Sequence, residues 1–343
     1  MGRHRYTAVL AVAMAMLVLA LSSCARKPDT GQSITIGVGG RTLPVYLPLT
    51  LAHQLGYFKD QGLSVDIQGL QGGSKALQAL EGGSLDVVAG YYDHTIQMQA
   101  KNRALTSFVT MLNRPEIVLA VSPAASKRIT SIADLAGANV GVSSPGSSTD
   151  FFLKYVLSKH GLAADSVSVQ AIGTAATAVA AMEHGRVDAA VMVDPAFSVL
   201  QQRAGADKVA VLLDSRSGEG VEQTFGVSKY PASVLYSTRE WLDANKTTAT
   251  GLATAIVRTL HWIQQHSAEE IAARMPAEFA QDSRAVYIET IAKIKSGFSD
   301  DGAMPVDGAE AVHKVLAQFD QAVSGANIDL SRTYSNDYLP GHD

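Results

Sequence analysis

Ala79 to Val88 reads ALEGGSLDVV, and Ala181 to Ala190 reads AMEHGRVDAA. Each spells Ala, apolar, Glu, any residue, Gly, any residue, apolar, Asp, apolar, apolar, and the two begin 102 residues apart. Working outward, Ile36-Gly37-Val38 is echoed by Val140-Gly141-Val142 at a spacing of 104, and Gly62-Leu63 by Gly161-Leu162 at a spacing of 99. Three correspondences in one order, at nearly constant offset, imply two lobes built on one supersecondary plan.

The local chemistry of each copy agrees. In the first, a strand is expected over Ile34–Val38 and a helix from Pro44 to Leu55, with proline at its start and Gly56 past its end. Leu63, Val65 and Ile67 alternate with Ser64 and Asp66 as in a half-buried strand. Ser74 is the expected N-cap of a helix stopped by Gly82-Gly83, and Leu85–Ala89 the next strand. The second copy reads as strand Val140–Val142, helix Ser148–His160, strand Val167–Ala171, helix Thr174–His184 and strand Ala189–Val193. Such alternation predicts an α/β fold with two parallel sheets, which bind ligands outside the carboxyl ends of their strands. The apolar segments Ile117–Ser122 and Val221–Val227 are expected to carry the chain between lobes. In the tail, Ser237 with Glu240 and Ser267 with Glu270 have capping-box spacing, and Thr247–Gln265 reads as a long helix packing back on the first lobe.

Composition narrows the function. The 343 residues are 47% apolar and only 17% charged, with a formal net charge of −4. A weakly acidic chain without basic runs argues against nucleic acid as the partner. The single cysteine excludes an internal disulfide, a CxxC redox pair and multi-cysteine metal sites. It also has a position that explains it. Arg3, His4 and Arg5 precede an unbroken apolar run from Ala8 to Leu21, whose helical length of about 21 Å falls short of a ~30 Å hydrocarbon core. That is the pattern of a secretory signal over residues 1–23. Leu21-Ser22-Ser23-Cys24 resembles a bacterial lipobox, which implies cleavage before Cys24 and a diacylglycerol on its thiol, against a plain cleaved signal with an incidental cysteine nearby. Residues 24–33 are polar and read as a tether.

The segment LPVYLPLTLAHQLGYFKDQGLSVDIQGLQGGSKALQALEGGSLDVVAG (Leu43 to Gly90) resembles the opening of NMT1/THI5-like solute-binding proteins, notably in GYFKDQGLSVD, the Gly-Gly-Ser helix and the Gly-x-Leu-Asp-Val strand. SIADLAGANVGVSSPGSSTDFFLKYVL (Ser131 to Leu157) is similar to the second-lobe opening of that family, and YSNDYL (Tyr334 to Leu339) to its ending. The family includes receptors for aliphatic sulfonates, taurine, nitrate and thiamine-pyrimidine precursors. The resemblance implies a type II periplasmic-binding-protein fold with a two-strand hinge. Residues 34–120 and 225–340 would then form lobe I, and 121–224 lobe II. It also implies delivery to an ABC permease with its ATPase, by a monomer exported and lipid-anchored to a bacterial membrane.

Both first strand-to-helix turns face the cleft if the lobes pair as the repeat suggests. The second, Ser143 to Thr149, sets five hydroxyls and free backbone N–H groups at a helix start, which suits an anion. Ser144, Gly146, Ser147 and Ser148 are its candidates, against ordinary capping, for which one serine suffices. In the first turn, Gly40, Arg41 and Thr42 are candidates. Arg41 would pair with a carboxylate or sulfonate, unless it is a solvated loop charge. After the strand Leu85–Ala89 come Tyr91, Tyr92 and Asp93, with one tyrosine expected in the cleft and Asp93 either accepting from a ligand amino group or capping a helix. Asp194 is the matching position in lobe II, more readily a cap than a ligand. Asn113, next to Arg114, sits near the crossover.

No GxSxG, HExxH, Walker or GxGxxG motif occurs, and neither a metal nor another cofactor is expected. The related fungal pyrimidine synthase depends on a cysteine-rich iron motif that Cys24 alone cannot supply, and an export signal argues against a cytosolic biosynthetic enzyme of this fold. The expected function is capture of a small organic anion, a sulfonate or carboxylate. A receptor for an aminopyrimidine or another aromatic heterocycle is the alternative, with an enzyme behind it.

Overall fold

β1 (Gln32–Val38) begins inside the expected tether, because Ile34, Ile36 and Val38 already turn one face inward at the two-residue period of a strand. The computed structural model describes residues 32–280 and 283–341. The signal segment, Cys24 and most of the tether lie outside the described residues. The described residues from Ser33 onward form one unit.

After β1 the first half continues with a 3₁₀ turn (Pro44–Tyr46), α1 (Leu47–Gln54), α2 (Tyr57–Asp60), β2 (Leu63–Gly69), α3 (Gly73–Glu81), β3 (Val87–Tyr91), α4 (Asp93–Ala100) and β4 (Leu105–Thr110). The single helix expected from Pro44 is therefore split. Pro44 and Pro48 both lack an N–H, and the chain makes a 3₁₀ turn before α-helical bonding can start. The second half runs β5 (Ile117–Val121), β6 (Asn139–Val142), α5 (Ser148–Lys159), β7 (Ser168–Ala171), α6 (Ala176–Glu183), β8 (Ala189–Val193), α7 (Ala196–Ala204), β9 (Val211–Asp214) and α8 (Gly218–Phe225). The chain returns through β10 (Ser233–Thr238), α9 (Arg239–Ala244), α10 (Lys246–Gln265), α11 (Ala268–Arg274), α12 (Arg284–Ile294), α13 (Val306–Ala317) and α14 (Gln321–Ser324).

Two five-stranded sheets result, ordered β2-β1-β3-β10-β4 and β7-β6-β8-β5-β9. They correspond strand for strand, as the duplicated sequence predicts. They are mixed rather than wholly parallel, since β10 runs against β3 and β4, and β5 against β8 and β9. The reason is geometric. A chain leaving the carboxyl edge of one sheet enters the other at its facing carboxyl edge, and so must run opposite to the strands already there. Ile117–Val121 is thus a fully buried strand of the second sheet, not a carrier between lobes, and 117–120 go with that sheet rather than the first. Val221–Val227 is largely the end of α8. The crossings are the segments 111–116 and 226–232, which bond to each other through Ala232 N–H to Leu112 C=O and Tyr230 N–H to Asn113 C=O, both 2.9 Å.

The repeated motif has a structural purpose. Asp86 Oδ2, just before β3, accepts the Thr35 N–H in the middle of β1 at 2.8 Å, and Asp188 Oδ2, just before β8, accepts the Asn139 N–H at the start of β6 at 2.8 Å. Each aspartate N–H also bonds the same partner's carbonyl. Gly83 and Gly185 turn the chain between helix and strand at φ +73° and +60°, a conformation that favours glycine.

Capping differs in two places. Gly72 precedes α3 at the N-cap position and Ser74 lies within its first turn, its hydroxyl directed to the other half of the molecule. Thr238, not Ser237, caps α9, because Ser237 Oγ is spent on the Asp86 carbonyl. The Ser267–Glu270 capping box forms as read. α10 buries Leu252, Ile256, Leu260 and Ile263 as one stripe and packs on α1 and α2, returning the tail to the first half. α13 touches both α4 and α5 and so spans the two halves.

Candidate functional site

The carboxyl ends of the two sets of strands face each other and are closed together by small residues. Ser74 Oγ lies 2.7 Å from Ser144 Oγ, and the Ser74 N–H donates to Ser147 Oγ at 3.3 Å. Ser147 stands at the N-cap of α5 but makes no capping bond, since its hydroxyl is turned to Ser144 Oγ at 2.7 Å and to Ser74 of the opposite half. Ser148 Oγ donates to Asp93 Oδ1 at 2.9 Å. Gly72, at φ +116°, permits this approach, because a Cβ there would lie 2.4 Å from Ser144 Oγ.

Beside this contact lies a chamber of about 380 Å³. The first half contributes Pro44 and Val45, and the second Asp194, Asp214, Arg216 and Ser217 from the ends of β8 and β9. Arg114 and Glu116 reach it from the first crossing, and Thr290, Lys293, Ile294 and Ser296 from α12 and the turn after it. Arg114 is buried and fully engaged: Nε donates to Glu116 Oε1 at 2.8 Å, Nη1 to Ser296 Oγ at 3.2 Å, and Nη2 to the Lys293 and Ile294 carbonyls at 3.0 and 3.3 Å. A guanidinium on the last carbonyls of a helix suits the negative end of its dipole. Glu116 holds φ +57°, and burial pushes its carboxyl up to about 8 against the pull of Arg114. Arg216 bridges Asp194 at 2.8 Å and Asp214 at 2.6 Å, its guanidinium 4.5 Å from the Phe197 ring centre. Burial raises the Asp214 carboxyl, but the bonds from Arg216 outweigh it and leave it below the usual range.

A second, smaller chamber of about 30 Å³ lies at the α5 N-terminus, among Gly39, Leu43, Tyr46, Gly73, Tyr91, His94, Ser143, Ser147, Ser148, Thr149, Thr174 and Val193. Leu43 and Tyr46 flank the Pro44 and Val45 of the large chamber, and Val193 precedes its Asp194, so sequence neighbours border both.

Tyr91, Ser147 and Ser148 are thus brought together, with Ser144 in the contact beside them. Asp93 borders a further void with Tyr91 and Ser148, and burial raises its carboxyl, opposed by His94 and the Ser148 bond. The Tyr91 hydroxyl donates to the Pro115 carbonyl. Tyr92 turns away from the cleft, its hydroxyl bonded to Thr333 and its ring edge-on to Tyr334. Gly146, at φ +79°, gives its N–H to Asp150 at 2.8 Å. Asp194 lines the large chamber and also caps α7, accepting from the Ser198 N–H and hydroxyl at 3.0 and 2.7 Å. Asn113 is buried in the first crossing and its Oδ1 has no partner. At Gly40 a Cβ would come within 2.8 Å of Thr174 Oγ1 of the second half. Arg41 and Thr42 reach neither chamber. Arg41 is exposed beside Gly69, because the Gly40 carbonyl accepts the Leu43 N–H and the closed turn aims Pro44 and Val45 inward instead.

Sequence reasoning overlooked Ser74, His94, Glu116, Asp214, Arg216 and Lys293. A signal existed for one pair: Asp214-Ser215-Arg216 follows an apolar run and precedes a helix start, the same context that singled out Tyr91 to Asp93. Lys293 had none, since only the return of the tail places α12 at the cleft. Among the described residues no group of His, Cys, Asp or Glu is placed to hold a metal, and no helix is long and apolar enough to cross a membrane.

Comparison with known proteins agrees with this architecture. A solved protein from Bordetella bronchiseptica RB50 is 39% identical, with a TM-score of 0.85 over 90% of this chain and 96% of that one. The alkanesulfonate-binding protein SsuA from Xanthomonas axonopodis pv. citri, solved with MOPS bound, is 18% identical with a TM-score of 0.69 over 88% of this chain and 98% of that one. YtlA of Bacillus subtilis (strain 168), whose name describes a binding protein, is 23% identical over 80% of this chain and 78% of its own. The fold is that of periplasmic binding proteins. Residues 43–270, from the first strand-to-helix turn to the start of α11, match the NMT1/THI5-like family, and the chain belongs to it.

Proposed function

We propose that this protein is the solute receptor of an ABC importer, taking a small organic anion between its two halves and delivering it to a permease. The observation that carries this reading is the chamber of about 380 Å³, lined from both halves and within the range of roughly 300–1,000 Å³ usual for small-molecule sites. Three basic side chains, Arg114, Arg216 and Lys293, line it with Asp194, Asp214 and Glu116, and burial pushes Glu116 up towards its uncharged form, to about 8. The balance favours an anion. The Xanthomonas neighbour is an alkanesulfonate-binding protein, which points the same way. No bond is broken in this account: halves close on the solute, exclude water and present the closed form to the permease. Export and a lipid on Cys24 follow from the N-terminal pattern, and would hold the receptor at the membrane surface as a monomer.

The heterocycle reading rests on the aromatic surfaces of Tyr46, Tyr91, Phe225 and Tyr230 near the smaller voids. Its polar handles are already engaged, Tyr91 with Pro115 and Asp93 with Ser148.

A thermal-shift screen of the protein against sulfonates, carboxylates, nitrate and pyrimidines tests the proposal. One anion is expected to raise the midpoint saturably, by about 2.7 kcal/mol of stabilisation at a hundredfold excess over its dissociation constant, and to be recovered unchanged. A shift given only by pyrimidines contradicts the anion class, and consumption of the compound contradicts the receptor.

A further inference from the structure

The three acids that line the large chamber are not equivalent. Both oxygens of Asp214 bond Arg216, at 2.9 and 2.6 Å, and those of Asp194 are divided between Ser198 and Arg216. Glu116 differs. Its Oε1 accepts from Arg114 Nε at 2.8 Å, but Oε2 has no hydrogen-bond partner among the described residues, although the residue is only 5% exposed. Its backbone stands at φ +57°, a left-handed conformation that a residue with a Cβ seldom adopts. The chain is fixed on either side, because the Tyr91 hydroxyl donates to the Pro115 carbonyl and the Ile117 N–H donates to Ser215 Oγ at 3.1 Å. Strain of this kind is found where the position of a side chain matters to function.

The surrounding charges decide which form of Glu116 suits an anion. Arg114 does not depend on an ionised partner, since its Nη2 donates to the Lys293 and Ile294 carbonyls, at the negative end of the α12 dipole. Arg216 is shared by two carboxylates, so that trio already carries a net negative charge. A third carboxylate beside it would repel any anion entering the same chamber.

Resting on the proposed capture of an anion in this chamber, we propose that Glu116 is the specificity-determining residue of the site, a neutral carboxyl group whose Oε2–H donates a hydrogen bond to an oxygen of the bound anion. A neutral acid offers an oxyanion a donor and offers an ammonium no counter-charge, so it selects a sulfonate or carboxylate against an amine of the same shape. Burial pushes the Glu116 carboxyl up to about 8, with Asp194 adding to the rise and Arg114 and Arg216 opposing it. Asp214, Lys293 and the Tyr91 phenol are the other ionisable groups on the elements around it. Anion capture therefore keeps the proton on Glu116 below about pH 8 and takes one up above it.

The test measures affinity for propanesulfonate and propionate, both ionised throughout pH 6 to 9, by titration calorimetry in buffers of different ionisation enthalpy. If only the protonated form binds, the wild-type protein should hold a probe about tenfold more weakly at pH 9 than at pH 7, and take up about half a proton on binding at pH 8. Glu116→Gln keeps the shape and has a permanent N–H donor. It should bind within about threefold of wild type at pH 7, with affinity flat to pH 9 and no proton uptake. Propylamine should bind to neither protein. Wild-type affinity that is flat or rises with pH, loss of binding in Glu116→Gln, or capture of propylamine overturns the neutral donor and leaves anion capture standing. A wild-type protein that binds neither anion at any pH overturns both.

Discussion

Asp93 and Ser148 stand on opposite halves of the molecule, and the Ser148 hydroxyl donates to Asp93 Oδ1 at 2.9 Å. With Ser74–Ser144 and Ser74–Ser147 it forms a polar contact of short side chains beside the chambers. Such bonds each contribute only about 0.5–1.5 kcal/mol, small enough for a solute to decide whether they form. In the proposed mechanism the serine-rich turn would serve closure as well as any ligand.

That contact supplies the first prediction. Ser74 and Ser144 hydroxyls are 2.7 Å apart, so the double variant Ser74→Cys, Ser144→Cys is expected to form a disulfide on oxidation. Mass spectrometry should show the bridge. The oxidised form should neither take up nor release solute, and reduction should restore exchange. Free exchange with the bridge intact would show that the contact is not part of closure.

Gly72→Ala is expected to hold the halves apart, since its Cβ would meet Ser144 Oγ at 2.4 Å and the φ of +116° strains any side chain. Solute affinity should fall about tenfold or more, corresponding to at least 1.4 kcal/mol, and the scattering radius should rise. Adding Ser144→Gly should recover part of the loss by removing the obstructing hydroxyl.

Glu116 predicts a pH dependence of stability. Its carboxyl stands at about 8 in the folded protein against an ordinary value of 4.5. A raised acid favours folding in its protonated form, so this contribution is complete below about pH 4.5 and lost as pH rises through about 8. Denaturant unfolding should show the protein losing about 1–3 kcal/mol relative to Glu116→Gln across that window. Parallel curves for the two proteins would refute the assignment.

Asp86→Ala removes the acceptor for the Thr35 N–H, and Asp188→Ala the acceptor for the Asn139 N–H. Each should cost about 1–2 kcal/mol in denaturant unfolding and leave solute affinity within twofold, because both aspartates stand just before the starts of β3 and β8, away from the carboxyl edge. A large affinity change in either would mean that the repeated motif has a role in the site.

The duplicated motif announced two corresponding sheets because helix stop, strand start and aspartate clamp are all local. The antiparallel strands β5 and β10 were not legible, since an apolar run such as Ile117–Val121 reads the same whether it crosses or pairs. The site was legible in part. Tyr91, Ser147, Ser148 and Asp194 sit at strand ends or helix starts, where position follows from topology. Arg41 did not follow, because the direction of a charge in a turn depends on one backbone bond, Leu43 N–H to Gly40 C=O. Arg216 and Lys293 meet only after the tail folds back, a long-range event that no local pattern records.

The most direct measurement is a crystal structure of the protein with the anion that stabilises it. The account predicts one molecule between the Pro44–Val45 turn and Arg216, with its charged group facing Arg216 and Lys293. An anion bound outside the cleft, or a cleft filled only by a neutral or cationic solute, would contradict it.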